Sequence, residues 1–113
     1  MHRSLLVAVA AGALAAPAAV ATEEAMVPTQ PRQRELMHLL KQDCGACHGM
    51  RLTGGLGPAL TAQALKDKPA ASLVATIVSG RPGTAMPPWR PFLTEAEAEW
   101  LVARLQKGDT DAR

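Results

Sequence analysis

The sequence predicts an all-α chain of three to four helices. Three observations carry that expectation. Apolar residues recur at helical spacing in three separate stretches, and no stretch alternates in the manner of a strand. Two loops rich in glycine and proline separate the periodic stretches. Aromatic bulk is nearly absent: Trp89, Phe92 and Trp100 are the whole supply in 113 residues, with no tyrosine. A domain this small has little core of its own, so something large and apolar belongs in its middle.

The chain opens with Met1-His2-Arg3, then the apolar run SLLVAVAAGALAAPAAV, then small residues before the polar Thr22-Glu23-Glu24. This pattern predicts a secretory signal peptide over 1–21, cut between Ala21 and Thr22. A membrane anchor is the competing reading. Pro17 and the alanine-rich make-up argue against it, and no other stretch approaches the roughly 20 apolar residues of a span. No stable membrane anchor is expected after cleavage. The net charge of +2 falls to +1 when Arg3 leaves, which offers nothing to nucleic acid or to an acidic membrane surface.

Residues 22–31 show no periodicity and read as a flexible leader; the domain is expected over 32–113. The first helix is expected from about Arg32 to Asp43, with Leu36, Leu39 and Leu40 on one stripe, Met37 on its flank and His38 roughly opposite. The stretch 49–60, GMRLTGGLGPAL, is an irregular loop. A short helix is expected over 61–66. Pro69 suits the first turn of the next helix, AASLVATIVS, and Gly80 ends it. The stretch 81–91, RPGTAMPPWRP, holds four prolines and cannot be regular. Thr94 and Glu97 have capping-box spacing and start a last helix that runs to about Lys107, with Gly108 as its stop. Ala98, Leu101, Val102 and Leu105 form its stripe. Trp100 lies nearly opposite, where it covers the leader near Met26 and Val27 or presents a partner patch.

The two cysteines sit in DCGACHG, residues 43–49. A structural zinc site needs four ligands, and only Cys44, Cys47 and His48 lie together. A redox dithiol normally sits at a helix start beside a strand, whereas this pair comes at a helix end. A disulfide would close a loop too short to stabilise much. Covalent haem explains every residue. Two thiols three apart on a helical turn can each join a vinyl group of one porphyrin, and His48 then coordinates the iron from below.

The sixth ligand is sought among Met26, Met37, Met50, Met86 and His38. Met50 is too close to His48 to reach the opposite haem face, Met37 reads as core, Met26 lies in the leader, and His38 faces solvent. Met86 sits in a proline-stiffened loop between two helices, and Pro87 and Pro88 reduce the entropy lost in holding its sulfur on iron. The alternative for Met86 is a gap-filling core residue.

CGACHG, GLGPAL and PGTAMPPW ahead of a final amphipathic helix resemble a class I cytochrome c over nearly all of 32–108. The resemblance implies that fold, with three to four helices around one covalently bound haem c. It implies that the backbone carbonyl of Pro58 orients His48, and that Leu60 packs on the haem. The first and last helices cross in that family, although the glycine and aromatic pair usual at the crossing is missing from this first helix. The stretch from Thr53 to Val102 resembles, more narrowly, the cytochrome c55X family of the periplasm of denitrifying bacteria. That resemblance implies electron transport in nitrite respiration. The partner would be cytochrome cd1 nitrite reductase, as electron acceptor, or an enzyme of haem d1 maturation, as electron donor.

No acid, base or nucleophile set is apparent. His38 is isolated, and Glu95, Glu97 and Glu99 are most simply favourable charge at a helix start. The residues therefore predict an electron carrier and not an enzyme. Two alternatives stay open: a haem-based sensor or small-molecule binder with a labile Met86, and an assembly factor for the reductase.

Overall fold

A computed structural model of the chain describes residues 27–111, together with residues 12, 16 and 17. Apart from those three positions the expected signal peptide falls outside the described residues, as do residues 22–26 of the leader, including Met26. Among the described residues every regular element is helical, and no helix is long and apolar enough to cross a membrane.

Helix α1 covers Gln30–Leu39. It begins two residues before the expected Arg32, because Pro31 takes a first-turn position where its missing N–H costs nothing. The helical path does not stop at Asp43. It passes through one wide π-helical turn, Leu40–Cys44, closed by a bond from the Gly45 N–H to the Leu40 carbonyl, and continues as α2, Gly45–His48. Wide turns of this kind absorb an extra residue and are frequent at functional sites. Here the turn keeps Leu40 in the core, while Cys44, four residues on, is only half-buried.

Helix α3, Ala62–Leu65, is capped by the Thr61 side chain, which accepts from the Ala64 N–H. Helix α4 covers Ala70–Ser79 and ends at Gly80. Helix α5, Glu95–Lys107, carries the expected capping box: Thr94 Oγ1 accepts from the Glu97 N–H, and Glu97 accepts from the Thr94 N–H. Gly108 ends it in the left-handed conformation.

Helix α5 is the common wall, packed against α1, α3 and α4. Its stripe of Ala98, Leu101, Val102 and Leu105 is buried together with Leu36, Met37 and Leu40 from the first helical path and Val74 from α4. His38 is exposed, as its position opposite the leucine stripe implies. Trp100 packs against the core of its own chain, and the Arg104 guanidinium lies over its ring, 4.7 Å from the centroid.

The crossing of α1 and α5 is tied by charge. Arg32 donates to both oxygens of Glu97, at 2.7 and 3.1 Å, to Glu35 at 2.9 Å and to the Phe92 carbonyl at 2.8 Å. One side chain thus joins the first helix to the N-terminus of the last. The Arg32 guanidinium holds the Glu97 carboxyl below its usual range against an opposing push from desolvation, and the Thr94 N–H adds to the lowering. A carboxylate with a lowered folded-state pKa stabilises the fold above its unfolded value. That contribution is lost as pH falls from about 4.3 through the folded value. Glu97→Gln should therefore lower the denaturation midpoint of the haem-loaded protein at pH 7. It should also reduce the further loss on going to pH 3, followed by far-ultraviolet circular dichroism. An unchanged pH dependence would place the acid sensitivity elsewhere.

Candidate haem-binding site

A cavity of about 700 Å³ opens between α2, the 49–60 loop, α4 and the 81–91 loop. That volume lies within the range of small-molecule sites, about 300–1,000 Å³. Cys44, Cys47, His48, Pro58, Leu60 and Met86 all line it. Residues 38 apart in sequence, His48 and Met86, thus contribute to the walls of one space. Met37 is instead core and Met50 is exposed, away from the cavity lining.

His48 is fixed from below. Its Nδ1 lies 2.6 Å from the Pro58 carbonyl. A carbonyl can only accept, so Nδ1 carries the proton and Nε2 keeps the lone pair. The loop that delivers Pro58 is bonded back to the motif: Gly54 N–H donates to the His48 carbonyl and Gly57 N–H to the Cys47 carbonyl, both at 2.8 Å. Gly57 lies so close that a Cβ would fall 2.8 Å from both Cε1 and Nδ1 of His48. Only glycine lets this backbone run under the imidazole.

Met86 is held from the other side. Arg81 N–H donates to the Met86 carbonyl at 3.1 Å, and Trp89 N–H donates to the Ile77 carbonyl at 3.0 Å, so the loop returns to the end of α4. Thr84 Oγ1 donates to the Arg81 carbonyl at 2.7 Å and accepts from the Met86 N–H at 3.3 Å. Gly80, at φ 67°, is where the chain leaves α4. A Cβ there would fall 2.6 Å from the Pro87 and Pro88 backbone and 2.8 Å from the Met86 oxygen. Sequence reading gave Gly80 only the task of stopping a helix and gave Gly57 no separate task. Their spacing to proline and methionine was visible, but the close approach was not.

The two sulfurs are not joined to each other. Burial pushes the Cys44 thiol up to about 11, and the Asp43 charge adds to the shift, whereas Cys47 is exposed. A thiol held protonated is a poor nucleophile.

Apolar walls, two sulfurs on one turn, an oriented imidazole lone pair and a thioether fit covalent haem. Comparison with known proteins agrees. A family model described as cytochrome C oxidase, cbb3-type, subunit III, matches residues 31–103. Cytochrome c55X of Pseudomonas aeruginosa is 62% identical over 82 residues, 73% of this chain and 69% of that protein. The chain belongs to the cytochrome c55X family of c-type cytochromes. A solved structure described as c-type cytochrome NirC superposes with a TM-score of 0.73 at 59% identity, covering 75% of this chain and all of that one. A second, described as dihydro-heme d1 dehydrogenase NirN in complex with DHE, gives a TM-score of 0.56 at 39% identity. It covers 61% of this chain but 15% of the other. The cytochrome accordingly has the all-α class I fold and carries covalently bound haem c.

The two close-approach glycines give a test. Gly57→Ala should disturb the His48 side of the haem and Gly80→Ala the Met86 side, each changing the ligand-field spectrum of the purified haem-loaded protein. Gly83→Ala is the control for Gly80→Ala: its φ of 79° carries the same kind of backbone penalty as 67°, about 1–2 kcal/mol, but a Cβ there meets nothing within 4 Å. If Gly80→Ala matches Gly83→Ala in spectrum, the close approach does not position Met86.

Proposed function

We propose that the chain is an exported electron carrier that passes single electrons and has no substrate chemistry of its own, in the nitrite-respiring system of the periplasm. Cys44 and Cys47 hold the haem covalently, His48 and Met86 are its axial ligands, Pro58 orients His48, and Leu60 packs on the ring. The carrying observation is that His48 and Met86 line one cavity from two separately braced backbones. When bound, the haem supplies a one-electron iron couple. The protein's part is to keep both ligands where they are in either oxidation state. Pro58 prevents the imidazole from turning, and Gly80, Arg81 and the two prolines prevent the thioether from drifting. Little has to rearrange when the charge changes.

The likeness to dihydro-heme d1 dehydrogenase favours one place in the system. That relative contains a related cytochrome stretch as a small share of its length. A dehydrogenation releases two electrons, and a haem accepts one at a time. A separate cytochrome of the same build suits the next acceptor, and two molecules would be reduced per turnover. Donation to cytochrome cd1 nitrite reductase is the second reading, which the c55X resemblance supports. The deciding experiment mixes the oxidised protein with the dehydrogenase and its dihydro substrate, and the reduced protein with the reductase and nitrite. Reduction in the first mixture supports the maturation role and oxidation in the second the respiratory one. No haem change in either would sink the pathway assignment.

The ligand assignment has its own test. Met86→Ala should leave the haem attached but give high-spin or water-ligated spectra, with ready carbon monoxide binding to the ferrous form. Met37→Leu and Met50→Leu should keep the parent spectrum. If the unaltered protein already binds carbon monoxide readily, Met86 is labile and the sensor reading replaces the carrier.

A further inference from the structure

The cavity walls are apolar over most of their extent, yet haem c carries two propionate groups that are ionised at neutral pH. Charges leaving water need partners. Besides His48, the cavity lining offers two basic side chains, Lys68 and Arg81, and one acidic one, Asp43. Asp43 directly precedes Cys44, at the attachment end. Lys68 and Arg81 stand just beyond the two ends of α4. Their backbones are braced. Gln106 Nε2, from α5, donates to the Lys68 carbonyl at 2.9 Å, and the Arg81 N–H is bonded to the Met86 carbonyl. Among the described residues neither side chain enters an ion pair or a side-chain hydrogen bond, whereas Arg32 and Arg104 are committed to carboxylates.

We infer that Lys68 and Arg81 are the partners of the haem carboxylates, and that together they raise the reduction potential of the iron. The inference rests on the haem reading above. A cation close to the haem opposes the extra positive charge of the ferric state, so removing it favours oxidation. At the range of a side chain beside a porphyrin and an intermediate dielectric, each charge should shift the oxidised-to-reduced equilibrium about fivefold.

The experiment is a redox titration of the purified haem-loaded protein and three variants, Lys68→Gln, Arg81→Gln and Lys66→Gln. Lys66 lies outside the cavity lining and is the control. Covalent haem is verified by mass in every sample, so failure of the haem reading would be recognised separately. The first two variants should each lower the midpoint potential by more than the control, and Lys68→Arg and Arg81→Lys should restore it. A shift in only one of the two, or shifts equal to that of Lys66→Gln, would overturn the pairing.

Discussion

At 2.6 Å, the contact between His48 Nδ1 and the Pro58 carbonyl fixes a tautomer, a ring orientation and a loop together. The tautomer follows because the oxygen has no proton to give. The ring orientation is set by that bond and backed by Gly57, where even a Cβ would fall 2.8 Å from Cε1 and Nδ1. The loop follows because its own backbone is bonded to the carbonyls of Cys47 and His48. The cysteine motif and the glycine-proline loop are therefore one mechanical unit, although 10 residues separate its two contact atoms. A Cβ at Gly55 would fall 2.8 Å from the Cys47 oxygen, and one at Gly49 2.6 Å from the Gly54 oxygen. The unit is packed so tightly that small residues are its only solution.

The other half of the site depends on α4. Gly80 lets the chain turn back so that Trp89 and Arg90 bond the carbonyls of Ile77 and Val78 at the end of that helix. Those carbonyls would otherwise lack partners. Capping α4 and positioning Met86 are thus the same set of hydrogen bonds. The helix is in turn held by α5, through Val74 and Val102, and α5 is held to α1 by its leucines and by Arg32. Stability of the last helix is in this way coupled to the placement of Met86 in the cavity wall.

Much of this was legible in the sequence, where a local signal existed. The Cys-x-x-Cys-His run, the Thr94 capping box and the Gly108 stop are short patterns with direct physical meanings, and each predicted element forms close to its expected place. Elimination singled out Met86 as the methionine in a stiffened loop between helices, and the structure places it in the cavity lining while Met37 and Met50 stand outside it. The π-helical turn left no signal, since one wide turn within the helical path changes the apolar spacing too little to be read from leucines alone. Arg32 and Glu97 are 65 residues apart, and a pair formed across a helix crossing has no pattern along the chain. That pair also accounts for what the first helix lacks. With no glycine and aromatic at the crossing, the contact is made with leucines and a charged strut.

The same division bears on what an electron carrier requires. Reorganisation is small when the ligands are held by atoms that do not move with the iron's charge. If His48 and Met86 are the axial ligands, as proposed, both would be held by backbone: His48 by a carbonyl, Met86 by a loop whose amides bond a helix end. Backbone bonds within a packed unit keep their geometry better than exposed ion pairs, which exchange with water and weaken in salt. Among the described residues the short ion pairs stand elsewhere, at the α1–α5 crossing and beside Trp100, and the longer Lys41–Asp111 contact touches neither His48 nor Met86. The cations at the cavity act on the iron through space and need no exact placement to do so. The placement of His48 and Met86 is thus set by backbone hydrogen bonds and glycine contacts, and on the proposal above the potential would be set by side-chain charge. Substitutions at Lys68 or Arg81 could then adjust the potential while leaving the ligands in place.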